Sequence, residues 1–286
     1  MTERIQKFIA DKARLLTDAG IERARGEIEI ILCHLLDCER LDIYLHGYDM
    51  VTDDTRARLN EIIKRRLSRE PLQYILGESW FYGRRFRVSP AVMVPTPETE
   101  LLCETAIRCV LQRGVRHPHI LDLGVGSGVI SVTMALELPE CEVVALDISE
   151  EAIEVARTNA AELGAVDKIE FRQSDSFEAI PETERYDLIL SNPPYIANWE
   201  YDALPPEVKA DPTISLLAGD DGLDAVRVIL RDAPKFLAPS GRILFEIGYD
   251  QGDRVVEMTE ADEHFRSIVV MKDYNDQDRV VMLSCD

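Results

Sequence analysis

The stretch Ile120-Leu121-Asp122-Leu123-Gly124-Val125-Gly126-Ser127-Gly128 carries an apolar run into glycines at alternate positions, and an apolar pattern resumes at Val129-Ile130. It reads as a strand, a tight loop and the start of a helix. Glycine lets the backbone turn sharply and approach a ligand, and free N–H groups at a helix start favour an anionic group. The loop is therefore expected to hold a nucleotide-like cofactor. Asp147 stands 21 residues after Gly126, at the end of the next apolar run, where a carboxylate can accept hydrogen bonds from ribose hydroxyls. A G-x-G-x-x-G dinucleotide fingerprint needs glycine at 129, where this chain has Val129. The G-x-G-x-G spacing, with Asp122 two residues ahead of it, favours S-adenosylmethionine over NAD. Asp175, after the following strand, fits a polar contact to the adenine.

Outward from this loop, helix and strand alternate. The periodicity predicts a helix over Thr99–Leu111, strand His119–Leu123, a helix to about Leu138, strand Glu142–Asp147, helix Glu150–Leu163 and strand Lys168–Arg172. Strand Tyr186–Ser191 follows, then an irregular stretch to Gly219, helix Asp221–Leu237, strand Arg242–Ile247, helix Gln251–Glu260 and two final strands. Such alternation implies an α/β fold with a mostly parallel sheet and helices on both faces, and ligands at the carboxyl ends of the strands.

A second feature sits at such an end. Asn192-Pro193-Pro194-Tyr195 follows the strand closing at Ser191. Two prolines fix φ and remove two backbone donors, which leaves carbonyl acceptors beside the Asn192 side chain. That pair suits a planar substrate NH2, whose nitrogen lone pair is delocalised and unreactive until its two hydrogens are held. With the Asn192 oxygen and the Pro193 carbonyl each accepting one hydrogen, the nitrogen can pyramidalise toward a methyl donor, and Tyr195 is expected to lie against the flat face of the amide or base.

The first 70 residues read differently. Ile5, Phe8, Ile9 and Ala13, then Ile28, Ile31, Leu32, Leu35 and Leu36, then Leu59, Ile62, Ile63 and Leu67 form three helical stripes, punctuated by Gly20, His46-Gly47 and Pro71. Thr52-Asp53-Asp54 offers N-caps ahead of the third. Two short extended runs, Trp80-Phe81-Tyr82-Gly83 and Phe86-Arg87-Val88, read as a hairpin bridging two domains. The expected organisation is a helical domain over 1–70, a hairpin linker over 71–97 and a catalytic domain over 98–286.

Composition narrows the classes. With 286 residues and 46% hydrophobic residues the chain can build one or two cores, and no run of about 18 apolar residues is present. The amino terminus lacks the apolar centre of a signal peptide, so a cytoplasmic protein is expected. Six cysteines without C-x-x-C spacing read as reduced thiols with no metal site. The net charge of −21 is uneven: residues 1–70 carry 13 basic against 14 acidic side chains, and the rest carry 19 against 39. The acidic part would repel phosphates, so no direct nucleic-acid binding is expected. A local basic cluster, Lys64, Arg65, Arg66 and Arg69 with Arg84, Arg85 and Arg87, reads as a solvated helix face or a patch for an anionic partner.

Taken together these residues resemble the HemK family of class I methyltransferases, the N(5)-glutamine methyltransferases of peptide-chain release factors. The resemblance spans nearly the whole chain. It includes Pro71-Leu72-Gln73-Tyr74-Ile75-Leu76-Gly77, Val94-Pro95-Thr96-Pro97-Glu98-Thr99-Glu100, the glycine loop, the segment around Asp147, Ser191 to Ile196, Glu207 to Pro212, and Gly219 to Leu223. It implies a Rossmann-like, mostly parallel seven-stranded sheet with a small helical domain ahead of it. It assigns Asp122, Gly124, Val125, Gly126, Ser127, Gly128, Asp147, Asp175, Ser176 and Asn192 to S-adenosylmethionine, and Asn192, Pro193, Pro194 and Tyr195 to the substrate glutamine. The implied partner is a bacterial class 1 release factor, presenting a Gly-Gly-Gln loop to a monomeric enzyme. The chain departs from the family pattern at Thr96, where arginine is usual, at Ser176, where an aromatic is common, and at Asp211, where glutamate is usual.

Two rival readings stand beside this one. An N6-adenine methyltransferase acting on DNA or RNA would use the same acceptor pair, but the charge distribution opposes it. A cofactor-binding module without catalysis would have no use for that pair.

Overall fold

The computed structural model describes residues 2–286, which form two compact units. The first runs to Gly77 and takes in Pro205–Ala210; the second comprises Glu78–Leu204 and Asp211–Asp286.

The helical unit contains α1 (Thr2–Asp18), α2 (Ala24–Leu36), α3 (Arg40–Met50), α4 (Asp53–Leu67) and the short α5 (Leu72–Leu76). The stripes form its core: Ile5, Ile9, Leu16, Ile28, Ile31, Leu32 and Leu59 are all shut off from solvent. Thr52 caps α4 as its position suggests, its hydroxyl accepting the Thr55 N–H at 3.1 Å. His46-Gly47 does not end a helix, because α3 continues to Met50. One internal glycine costs about 1 kcal/mol and does not by itself stop a helix whose neighbours pack. The unit also extends past residue 70, since Pro71 opens α5 and Leu72 and Leu76 pack on this core.

The basic cluster divides: Lys64, Arg65, Arg85 and Arg87 are exposed, as a solvated face would be, whereas Arg66 is buried in ion pairs. Arg66, 5% exposed, holds Glu27 at 2.9 Å and Glu207 at 2.8 Å; Arg69 holds the other Glu207 oxygen at 2.8 Å. Arg65 pairs with Glu70. These bonds draw residues 205–210, which are distant in sequence, into the helical unit.

The second unit opens with the hairpin β1 (Glu78–Phe81) and β2 (Arg84–Arg87), joined by Tyr82-Gly83. By its contacts the hairpin belongs to this unit. Phe81 and Phe86 are buried edge to face in the core, Arg84 pairs with Glu137, and Arg87 pairs with Glu162. Asn159 accepts the Arg87 N–H at 2.7 Å and donates to the Arg87 carbonyl at 3.0 Å and the Ser127 carbonyl at 2.8 Å.

The main sheet follows the predicted alternation: α6 (Glu98–Arg113), β3 (His119–Leu123), α7 (Val129–Glu137), β4 (Glu142–Asp147), α8 (Glu150–Glu162), β5 (Ile169–Gln173) and β6 (Tyr186–Ser191). After the irregular stretch come α9 (Asp224–Phe236), β7 (Leu237–Glu246), α10 (Gly252–Glu260), β8 (Ser267–Lys272) and β9 (Asp278–Ser284). Seven strands lie in the order β5-β4-β3-β6-β7-β9-β8, parallel from β5 to β7 and antiparallel where β9 joins β7 and β8. Both faces are covered, so consecutive residues are apolar: Val143 and Ala145 enter one core, Val144 and Leu146 the other. The chain winds outward from β3 to β5, then returns to start β6 on the other side of β3. The switch point therefore opens between the carboxyl ends of β3 and β6, where such sheets bind ligands.

Candidate active site

A cavity of about 640 Å³ lies at that switch point, within the size range of small-molecule sites. The two motifs meet there because Leu123 and Ser191 are register partners on adjacent strands, and the Ser191 hydroxyl donates to the Leu123 carbonyl at 2.8 Å. The cavity wall includes Gly124, Val125, Gly126, Ser127, Asp147, Asp175, Ser176, Asn192, Pro193 and Pro194. It also includes residues that pattern reading did not single out, among them Pro90 to Met93, Ile148, Thr99 and Ile214.

The glycine loop is held internally. Gly124 and Val125 both donate to the Leu146 carbonyl at 2.9 and 2.8 Å, Gly128 donates to the Val125 carbonyl at 2.8 Å, and Gly126 donates to Asp147 Oδ2 at 2.9 Å. Asp122 Oδ2 accepts the Ser131 N–H at 3.1 Å and the Ser131 hydroxyl. Four loop N–H groups, of Gly124, Val125, Gly126 and Gly128, and the Ser131 N–H of α7 are thus engaged within the fold. Asp147 accepts from Gly126 and, through Oδ1, from Ser149 at 2.9 Å, which leaves half of a carboxylate's four acceptor positions open.

Three expected site residues are not part of the cavity wall. Asp122 is fully buried beneath the loop, where it clamps the first turn of α7, and burial pushes its carboxyl up to about 7. Gly128 turns the chain into α7 at φ +84°, and a Cβ there would lie 3.1 Å from the Ala156 Cβ; its role is close packing against α8. Tyr195 turns away from the wall, with its hydroxyl pushed up to about 12, chiefly by burial and then by Glu246. Its carbonyl accepts from Gln251 Nε2 at 2.9 Å. Gln251 also donates to the Gly222 carbonyl at 2.9 Å and accepts the Gly248 N–H at 2.9 Å, which fixes the end of the NPPY loop. Phe177 lines the cavity but stacks on Phe236 at 5.5 Å within the core.

Asn192 donates through Nδ2 to Thr99 Oγ1 at 2.9 Å. Among the described residues, nothing donates to Asn192 Oδ1 or to the Pro193 carbonyl. Two acceptors thus remain open beside the glycine loop. Asp211, shorter than the usual glutamate, still accepts the Val94 N–H at 3.3 Å. Sequence reading missed Thr99 and Gln251 because each acts through hydrogen bonds to segments remote in the chain. Thr99 stands in a segment that carried the resemblance; Gln251 had no local signal.

Residues 9–77 match the PrmC N-terminal domain family, and residues 115–278 match a methyltransferase domain family. The release factor glutamine methyltransferase of Cereibacter sphaeroides is 42% identical, over 93% of this chain and 93% of that protein. That of Neisseria gonorrhoeae is 39% identical, over 90% and 92%. Among solved structures, the hMettl16 catalytic domain in complex with MAT2A 3'UTR hairpin 6 aligns over 82% of this chain and 83% of that one. The TM-score is 0.58 at 15% identity, a likeness of fold alone. At the identities of the two bacterial relatives, held across nearly the whole of both chains, this protein belongs to the release factor glutamine methyltransferase family.

Proposed function

We propose that this enzyme transfers a methyl group from S-adenosylmethionine to the side-chain amide nitrogen of the glutamine in the Gly-Gly-Gln tripeptide of bacterial class 1 release factors. The observation that carries this reading is the pair of unclaimed acceptors, Asn192 Oδ1 and the Pro193 carbonyl, at the mouth of the glycine-loop cavity.

The cavity residues fit that cofactor. Gly124 to Ser127 supply a close backbone wall, Asp147 offers acceptors for ribose hydroxyls, and Asp175 and Ser176 offer polar contacts for the base. S-adenosylmethionine, when bound, supplies an electrophilic methyl on a sulfonium.

The chain's own residues do the rest. Asn192 Oδ1 and the Pro193 carbonyl hold the two amide hydrogens, which takes the nitrogen lone pair out of conjugation and aims it into the cavity. As the N–C bond forms, the nitrogen releases one proton to water, and the bond electrons of the broken S–C bond stay on sulfur, giving S-adenosylhomocysteine. Positioning of this kind can supply roughly 7–11 kcal/mol of a barrier. Pro193 and Pro194 keep the acceptor rigid, and Tyr195, anchored by Gln251, holds the loop from behind. The helical unit is assigned the grip on the body of the release factor. One chain holds every proposed group, so a monomer suffices. Among the described residues no helix is long and apolar enough to cross a membrane, and a translation-factor substrate goes with a cytoplasmic site of action.

The test is methyl transfer from labelled S-adenosylmethionine to a purified bacterial release factor, beside the same factor with its Gly-Gly-Gln glutamine changed to alanine and beside adenine-containing DNA. Label on the unaltered factor alone, as one methyl on that glutamine, supports the reading. Label on the DNA alone replaces it with the adenine reading. Amides of residues 2–77 that gain no protection from hydrogen exchange with an intact release factor would remove the helical unit from recognition.

A further inference from the structure

The side chains of Asn192, Thr99 and Glu246 form a chain of hydrogen bonds that connects the NPPY loop, α6 and β7. Asn192 Nδ2 reaches Thr99 Oγ1 at 2.9 Å, and the Thr99 hydroxyl donates to Glu246 Oε2 at 2.8 Å. Thr99 is 2% exposed and Glu246 is 1% exposed, so the bond between them is shielded from water. These positions are 93 and 147 residues apart in pairs, and only the sheet brings them together.

A primary amide can sit two ways round, with its oxygen and its NH2 exchanged. The two orientations have opposite consequences here. With Oδ1 toward the substrate, Asn192 accepts from the glutamine NH2; with Nδ2 there, two donors face each other and the site cannot hold the substrate nitrogen. What selects between them is the direction of the Thr99 hydroxyl, which has one hydrogen to give. A carboxylate only accepts, so at Glu246 that hydrogen is claimed. Thr96 Oγ1, at 3.5 Å, is too distant to compete. Thr99 can then only accept from Asn192, which requires Nδ2 on the Thr99 side and Oδ1 on the other.

We propose that Thr99 and Glu246 are positioning residues that set the orientation of the Asn192 amide, and thereby make Oδ1 the acceptor for the substrate NH2. This rests on the proposed reaction and deepens it. Neither residue touches the reacting atoms. The relay works in one direction while Glu246 is ionised. A protonated Glu246 can donate to Thr99 instead, which frees the Thr99 hydrogen for Asn192 Oδ1 and turns the amide round. Glu246 faces Glu98 and Cys103 on α6, Asp273 at the β8–β9 turn, Arg279 on β9 and Tyr195 on the loop. Burial among them pushes its carboxyl up to about 7, so the reversal falls in an accessible pH range.

The experiment compares Thr99→Val, Thr99→Ser and Glu246→Gln in the full-length enzyme with a release factor. Valine keeps the shape of threonine and removes the hydroxyl. Thr99→Val should lower kcat roughly 10- to 100-fold while cofactor affinity and KM for the release factor stay within about 3-fold, and Thr99→Ser should restore kcat to within about 3-fold. Glu246→Gln should remove the acidic limb near pH 7 from the wild-type kcat profile, because the group that titrates is gone. A second readout does not depend on turnover. The Asn192 side-chain amide protons should exchange slowly in the wild type and rapidly in Thr99→Val, and this holds even where the variant is partly destabilised. A Thr99→Val enzyme with wild-type kcat, a Thr99→Ser enzyme as slow as the valine variant, or an acidic limb that survives in Glu246→Gln overturns the proposal. Absence of any transfer by the wild type would instead overturn the proposed reaction.

Discussion

Ser191 donates its hydroxyl to the carbonyl of Leu123 at 2.8 Å, at the last paired positions of two parallel strands. One residue further along each strand begins a different motif, the glycine loop at Gly124 and the acceptor loop at Asn192. The two loops therefore share one edge of the sheet, and their separation is set by strand register.

Asn192→Ala is expected to lower kcat roughly 100-fold or more while leaving cofactor affinity within a few fold, because the acceptor acts on the nucleophile. Single-turnover kinetics with calorimetry of cofactor binding separate the two. Near-wild-type turnover would take Asn192 out of the reaction.

The loop glycines should divide by phenotype. Gly128→Ala combines φ +84° with a Cβ 3.1 Å from the Ala156 Cβ, and is expected to destabilise by about 1–3 kcal/mol in urea unfolding. Gly126→Ala, at φ +52°, meets no protein atom within 4 Å, yet Gly126 lines the cavity. It should weaken cofactor binding more than it lowers stability. Equal loss of stability in both variants would contradict this division.

Asp122 offers a test through pH. Its carboxyl is raised to about 7 by burial, whereas an unfolded aspartate ionises near 3.9. Between those values the folded chain binds more protons than the unfolded chain, so this group's contribution to stability falls as pH rises through that window. Asp122→Asn keeps an oxygen for Ser131 and removes the cost of a buried charge. The melting temperature of the variant relative to wild type should therefore improve from pH 4 to pH 8, by the equivalent of at most about 4 kcal/mol. A difference that does not change with pH would show that Asp122 is not the titrating group.

Arg66 holds two carboxylates, Glu27 and Glu207, from a buried position. Arg66→Met keeps most of the side-chain volume, leaves Glu27 unpaired and leaves Glu207 to Arg69 alone, at an expected cost of about 2–4 kcal/mol. Amide exchange over 205–210 should accelerate first, since Glu207 is that segment's ionic tie to the helical unit. Unchanged exchange there would mean that packing alone holds the segment.

The strands from His119 to Ser191 were legible because a strand buried on both faces is a short apolar run, and glycines with an acid one strand later mark a cofactor loop at its end. The first helices were legible from apolar stripes at three-to-four spacing. The NPPY acceptors were legible because proline removes donors wherever it stands. Local chemistry of this kind depends on neighbours in the chain, so the sequence by itself determined the fold class, the glycine loop and the proline loop. Tertiary structure alone decided which residues serve those motifs. Asp122 and Gly128 belong to packing and Tyr195 to loop anchoring, because burial and strand order, not residue type, set what each side chain meets. Likewise Arg66, Arg69, Arg84 and Arg87 found acids from distant segments, and Thr99, Glu246 and Gln251 joined the network behind the loop only when the sheet closed. A hydrogen bond between residues 93 or 147 apart has no local pattern to announce it, since its partners become neighbours only after the strands pair.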